Sequence, residues 1–300
     1  MKFSTFLAGA LAGLTAISAS SSFAAPLTLT GDAVKVSISD KGVFSSLIYD
    51  PTKTGTFNPS TDYVSPGTPF EGFGVRFNSS LLSNSNSGSQ QISGSLSAAS
   101  GYANAALWTG GNAFFSLSHL FFFNEGDERV NIRTTLTALQ DLANVSISRA
   151  VDPDPDVMTH GTYSTQNTRG ISSRGVAAQD FVGSVGAISG LPLGLFYNGA
   201  IAHNTGIESS CCSVVDPLQY LAGGDYPSGS VGDNGIGIGF DLGNLIAGTT
   251  RSWDYAYVMG GSLGTIDIPP DGTVPEPATL ALLGLGLLGM RLKRQRKQAA

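Results

Sequence analysis

Three aspartates alternate with two prolines in Asp152-Pro153-Asp154-Pro155-Asp156, the densest run of chemistry-bearing side chains in the 300-residue chain. The prolines hold such a segment extended, and on an extended chain alternate side chains point the same way. Three carboxylates so placed suit Ca2+, a hard cation that takes oxygen ligands. The run is not an EF-hand loop, because Val157 stands where that loop needs Gly and Tyr163 where it needs a bidentate Glu. A calcium site at Asp152, Asp154 and Asp156 therefore competes with a solvated acidic loop, and no other cofactor is expected.

The remaining chemistry is sparse. His119, His160 and His203 are far apart and form no H-E-x-x-H pair. The sequence contains no phosphate-binding G-x-x-x-x-G-K-[ST] loop. The carboxylates of a glycoside hydrolase are neighbours in space rather than in sequence, so Glu residues near aromatics deserve a test. Glu71, in Pro69-Phe70-Glu71-Gly72-Phe73-Gly74, is the one to choose; the competing reading makes it a turn residue beside an edge strand. Tyr63, Phe70, Phe73, Trp108 and Trp253 either stack on sugars or fill the core. No catalytic residue is assigned from these patterns.

Composition narrows the class. Charged residues are only 13% of the chain, about half the usual share, and there are 39 glycines. Six of the 16 basic residues (Lys2, Arg291, Lys293, Arg294, Arg296 and Lys297) lie near the termini, leaving ten against 22 acidic ones. A body near −12 has no footprint for phosphate-backbone contacts, so nucleic acid is not an expected partner. The only cysteines, Cys211 and Cys212, are adjacent, and build neither a disulfide framework nor a zinc site. A ring between them, a bond to another chain and two plain thiols all remain open.

The elements that must carry these residues read as strands. Val34, Val36 and Ile38 alternate with polar residues, then turn at Asp40-Lys41-Gly42 into 43–49. Ala113–Phe123 turns at Asn124–Asp127 into the alternation Val130, Ile132, Thr134. Leu193–Tyr197, Asn198-Gly199 and Ala200–His203 read as a two-residue hairpin, and Leu242–Gly248 with Trp253–Tyr257 as a closing one. Residues 78–100, rich in Ser, Asn and Gly, read as a mobile loop or a weak edge hairpin. Many short strands without long helical periodicity predict an all-β fold, an antiparallel β-sandwich of one large or two small domains over 25–267.

Both ends read as processing signals. Lys2, the uncharged run Phe3–Ile17 and the small residues of Ser22-Phe23-Ala24 form a secretory signal peptide over 1–24, cut between Ala24 and Ala25. Signal peptidase and the Sec machinery are the partners this implies. A linker, 268–273, leads to Val274-Pro275-Glu276-Pro277, an uncharged stretch from Ala278 to Met290 and a basic cluster from Arg291 to Lys297. As a helix, 278–290 covers about 20 Å, less than the roughly 30 Å hydrocarbon core, so it reads as a short or transient span of the inner membrane. The basic cluster stays in the cytoplasm by the positive-inside rule. Gly284-Leu285-Gly286-Leu287-Leu288-Gly289 matches G-x-G-x-x-G by letter alone, lacking the strand–helix setting of a dinucleotide site.

The order Val-Pro-Glu-Pro, Thr279-Leu280, a short Leu/Gly span and Arg/Lys resembles the PEP-CTERM sorting signal over 274–300. The resemblance implies an exosortase partner, cleavage near Pro275-Glu276-Pro277, and delivery to the cell surface or matrix of a Gram-negative bacterium that makes exopolysaccharide and biofilm. It says nothing of the body. The stretch from Arg149 to Asn167 loosely resembles segments of other anchored surface proteins and implies no activity. Two functions are expected to compete: a non-catalytic structural or adhesive surface protein, and a secreted carbohydrate-binding or glycan-hydrolysing one.

Overall fold

The computed structural model describes residues 25–64, 70–88 and 90–269. The leader, linker residues 270–273 and tail 274–300 lie outside the described residues. With them go the processing residues Ala24, Val274, Pro275, Glu276 and Pro277. Among the described residues no helix is long and apolar enough to cross a membrane.

Strands β1 (Leu27–Thr30), β2 (Val34–Ile38) and β3 (Phe44–Tyr49) form a three-stranded sheet, with the β2–β3 turn where the alternation placed it. Strands β4 (Phe70–Phe77) and β5 (Ser80–Ser85) follow as a hairpin. Then β6 (Ser93–Ala98), β7 (Asn104–Gly111), β8 (Phe115–Phe123) and β9 (Arg129–Ala138) run as an antiparallel meander. The long strand β10 (Leu142–Asp152) returns to β4. A one-turn helix α1 (Val157–His160) leads to β11 (Thr165–Arg169), β12 (Phe181–Gly186), β13 (Pro192–Phe196) and β14 (Ala202–Glu208). The short helix α2 (Pro217–Ala222), β15 (Val231–Gly232), β16 (Gly235–Leu245) and β17 (Thr250–Met259) complete the described chain. Two large antiparallel sheets result, one ordered β14-β16-β10-β4-β5 and the other β15-β11-β12-β13-β17-β9-β8-β7-β6.

The alternation sorts side chains onto faces. Val145, Ile147 and Val151 of β10 point into the same core as Ile236, Ile238 and Phe240 of β16 and Trp253, Tyr255 and Tyr257 of β17. The core also takes Val34, Val36 and Phe44 from the small sheet, so one continuous apolar interior joins all three sheets. Many outward positions of β4, β10, β14 and β16 are small, among them Gly72, Gly74, Ser148, Ala150, Gly206, Gly237 and Gly239. This bare surface receives the 209–224 segment. Tyr220 of α2 lies over Gly237, Leu221 over Gly239, and Val215 over Gly72. The alternate glycines of β16 are thus a seat for a helix. An added methyl at Gly74 would overlap the Val215 carbonyl oxygen, a backbone atom that cannot rotate away. Gly74→Ala is expected to cost about 1–3 kcal/mol in chemical denaturation by lifting this segment off the sheet, whereas Gly126→Ala, with open space around it, leaves stability within about 0.5 kcal/mol.

Three local expectations are corrected. The hairpin expected at Leu193–His203 is a crossing: β13 pairs with β12 and β17, and β14 pairs with β16 in the opposite sheet. The expected closing hairpin likewise splits, with β16 in the five-stranded sheet and β17 in the nine-stranded one. Residues 78–100 contribute an edge strand to each large sheet, β5 and β6, instead of one loop or hairpin. Asn84 ties that crossover down: its Nδ2 donates to the Lys41 and Ile92 carbonyls, and its Oδ1 accepts from the Gln91 and Ile92 amides. In the two hairpins the period of two identified strands but held no information about which sheet they join, and in 78–100 the Ser-, Asn- and Gly-rich composition masked the two strands.

Candidate functional site

Glu71 sits on β4 at an inward position, in phase with Phe73, Val75 and Phe77. It is neither a turn residue nor exposed to a substrate: its side chain is completely buried. Arg149, inward on the neighbouring β10 in phase with Ile147 and Val151, is equally buried and pairs with it. Arg149 Nη2 donates to Glu71 Oε2 at 2.9 Å and Nη1 to the Gly42 carbonyl at 3.1 Å. The carboxylate also accepts the Phe44 amide at 2.6 Å and the Tyr257 hydroxyl at 2.8 Å. Three rings surround the guanidinium, those of Phe44, Phe73 and Phe121, at 5.2–5.8 Å to their centroids. Burial alone would lower the Arg149 pKa; the Glu71 carboxylate outweighs it and holds the guanidinium charged. The pair joins the small sheet to both large ones, since its partners lie on β3, β4, β10 and β17 and at Gly42 in the β2–β3 turn.

His119 belongs to the same interior. Its ring stacks on Trp108 at 5.3 Å and meets Phe73 edge-on at 4.6 Å, and its Nδ1 contacts Thr134 Oγ1 at 2.9 Å. Burial first, and then Arg149, push its pKa well below the ordinary imidazole value, so it is neutral. The aromatics considered as sugar platforms are in the interior as well: Tyr63, Phe70, Phe73, Trp108 and Trp253 are all buried. The other two histidines stand apart, His203 against Asp180 and His160 at the end of α1.

The acidic run divides. Asp152 ends β10, and the chain leaves the sheet there instead of continuing extended. Asp156 turns away into a clamp, accepting the Ile188 amide at 2.7 Å and the Ser189 amide at 3.1 Å. Asp152 and Asp154 instead meet Asp233, from the bend between β15 and β16, with one oxygen of each within 4.8 Å of the others. Asp152 is 3% exposed and Asp154 1%, while Asp233 forms an exposed lip. Burial, then the charges of Asp154 and Asp233, raise the Asp152 carboxyl to about 9. Burial and Asp233 raise Asp154 to about 7. Cys211 and Cys212 are joined in a vicinal disulfide beside this group, with Cys212 Sγ 3.5 Å from Asp152 Oδ2. Sequence reasoning missed Asp233 because it is distant along the chain and sits in an ordinary Gly-Asp-Asn-Gly turn. It also missed Arg149, although its place in the in-phase series Val145, Ile147, Val151 was a usable signal.

This architecture defines an all-β protein built as an antiparallel sandwich. A bacterial glucoamylase complexed with acarbose is similar in structure at a TM-score of 0.51 and 12% identity, over 82% of this chain and 33% of the glucoamylase. The chain thus spans about a third of that enzyme's length, and at this identity the likeness is one of fold alone. The Slr1438 protein from Synechocystis sp. PCC 6803 has 7% identity and a TM-score of 0.45, over 83% of this chain and 100% of that one. A galactose mutarotase related enzyme from Lactobacillus acidophilus has 10% identity and a TM-score of 0.40, over 81% and 100%. No curated protein matches the sequence. Residues 273–297 match the PEP-CTERM protein-sorting motif. The chain carries that motif, which implies export, sorting by an exosortase and a cell-surface or extracellular destination.

Proposed function

We propose that the protein is an exosortase-processed component of the cell surface or extracellular matrix, with a non-catalytic structural or adhesive body working in an exopolysaccharide or biofilm layer. The sorting motif over 273–297 carries this reading. The disposition of the body's side chains supports it: Glu71, the carboxylate chosen for a hydrolase, is sealed in an ion pair, and the five aromatics chosen as sugar platforms are buried. The body, 25–267, follows a signal peptide cleaved after Ala24, and the linker 268–273 joins it to the tail. Residues 278–290 hold the intermediate in the inner membrane of a Gram-negative cell until the exosortase cuts near Pro275-Glu276-Pro277.

Intact-mass measurement of the protein recovered from the cell surface tests this directly. The expected mass lacks residues 1–24 and everything after roughly Pro277. A full-length chain in the cytosol, with both ends uncut, overturns the reading. A glycan array and a turnover screen on the recovered protein separate its non-catalytic part from a carbohydrate-active one, since turnover would defeat the first and leave the sorting untouched.

A further inference from the structure

We propose that Asp152, Asp154 and Asp233 form a Ca2+ site at the edge of the sandwich, where β10 ends and the chain bends from β15 into β16. The case starts from charge. Three carboxylates have oxygens within 4.8 Å of one another, and among the described residues no salt bridge reaches any of them. Carboxylates this close repel, and two of them are almost wholly removed from water, where repulsion is poorly screened. A second observation is independent of the crowding. The Asp154 side chain is 1% exposed, and its Oδ1 is buried without a hydrogen-bond partner. A buried acceptor left unsatisfied is costly, so native proteins rarely keep one without a hydrogen-bond donor, an ordered water or an ion to fill it. A cation among the three carboxylates would relieve their repulsion and give the Asp154 carboxylate a partner.

The donor set selects the cation. With Cys211 and Cys212 bonded to each other, neither sulfur offers a thiolate, which leaves oxygen donors and a preference for a hard ion over Zn2+. Ca2+ tolerates the irregular geometry of donors from a strand end and two bends, and completes its shell with water at the Asp233 lip. Mg2+ demands a near-ideal octahedron that three carboxylates from separate segments are poorly arranged to supply. Asp156 plays no part, because its two oxygens are committed to the 188–189 amides.

The test is calorimetric titration of the EGTA-treated full chain with CaCl2, with a thermal melt at each concentration. One Ca2+ should bind per chain, with Kd on the order of 0.1–1 mM as in extracellular modules, and raise the Tm. Asp233→Asn alters an exposed residue and spares the fold; it should weaken binding at least tenfold and remove the Tm increment. Asp156→Asn should lower the Tm with and without calcium by the same amount, leaving the increment in place. MgCl2 at the same concentrations should give a smaller increment. Absence of calcium heat and of any Tm shift up to about 10 mM, or undiminished binding by Asp233→Asn, overturns the proposal. Should Asp156→Asn fail to fold, Asp233→Asn alone decides. The outcome is independent of how the tail is processed.

Discussion

Arg149→Met is expected to destabilise the protein by about 3–5 kcal/mol, and Glu71→Leu by a similar amount, because each strands a buried charge. At roughly 2–4 °C per kcal/mol for a body of this size, either variant should melt about 6–20 °C lower. The double variant Glu71→Leu/Arg149→Met removes both charges and their desolvation together, and is expected to return to within about 2 kcal/mol of the parent. Urea and thermal unfolding of the purified full chain measure all three.

The pH response of Arg149→Met adds a check of sign. Without the guanidinium, burial holds the Glu71 carboxyl above its unfolded value, the direction in which burial already acts in the native protein. The folded state then keeps a proton that the unfolded state releases. Stability of the variant therefore falls as pH rises above about 4, more steeply than in the parent. Equal unfolding midpoints for the two single variants and the parent would show that the pair contributes no net coupling. A Glu71→Gln protein with an unchanged Tm and a lost turnover would place chemistry at this carboxylate.

How much of this was written in the sequence depends on range. The β2–β3 and β8–β9 hairpins were legible because alternation and turn chemistry are local, and both strands of each join the same sheet. Asn198-Gly199 carried an equally strong local signal and misled, because the chain there crosses from one sheet to the other. Tyr197 marks the crossing, with its hydroxyl accepting the Ile201 amide at 3.0 Å and its ring against Gly199. Similarly, three acidic residues at alternate positions named two members of the cluster, but the third comes from a bend about 80 residues on, and no periodicity spans that distance. Glu71 shows the opposite failure. Its aromatic neighbours suggested a binding face, yet with alternation counted through Phe73, Val75 and Phe77 it falls on the buried side. The sequence holds the face; it does not hold the partner that makes burial of a carboxylate tolerable.

Trp108→Ala is expected to cost about 3–5 kcal/mol, the largest loss from any single apolar truncation in the body. Trp108 is fully buried, and three glycines from separate segments close on its ring: Gly42 from the β2–β3 turn, Gly94 from β6 and Gly110 from β7. A side chain at any of them would strike the indole. The indole Nε1 donates to the Asp40 carbonyl at 2.8 Å, so the same residue ties the β2–β3 turn to the nine-stranded sheet. Truncation leaves a cavity that three glycines cannot refill and an Asp40 carbonyl without its donor. Trp108→Phe keeps part of the ring and should lose about half as much. Phe73 meets Trp108 at 5.5 Å and also faces the Arg149 guanidinium. Trp108→Ala and Arg149→Met therefore disturb one packed unit, and their combined cost should depart from the sum by about 0.5–3 kcal/mol. A Trp108→Ala protein that melts with the parent but fails to retain a glycan would instead make the indole a binding platform. The native packing around it predicts the reverse: a lower melting point, and no ligand contact to lose.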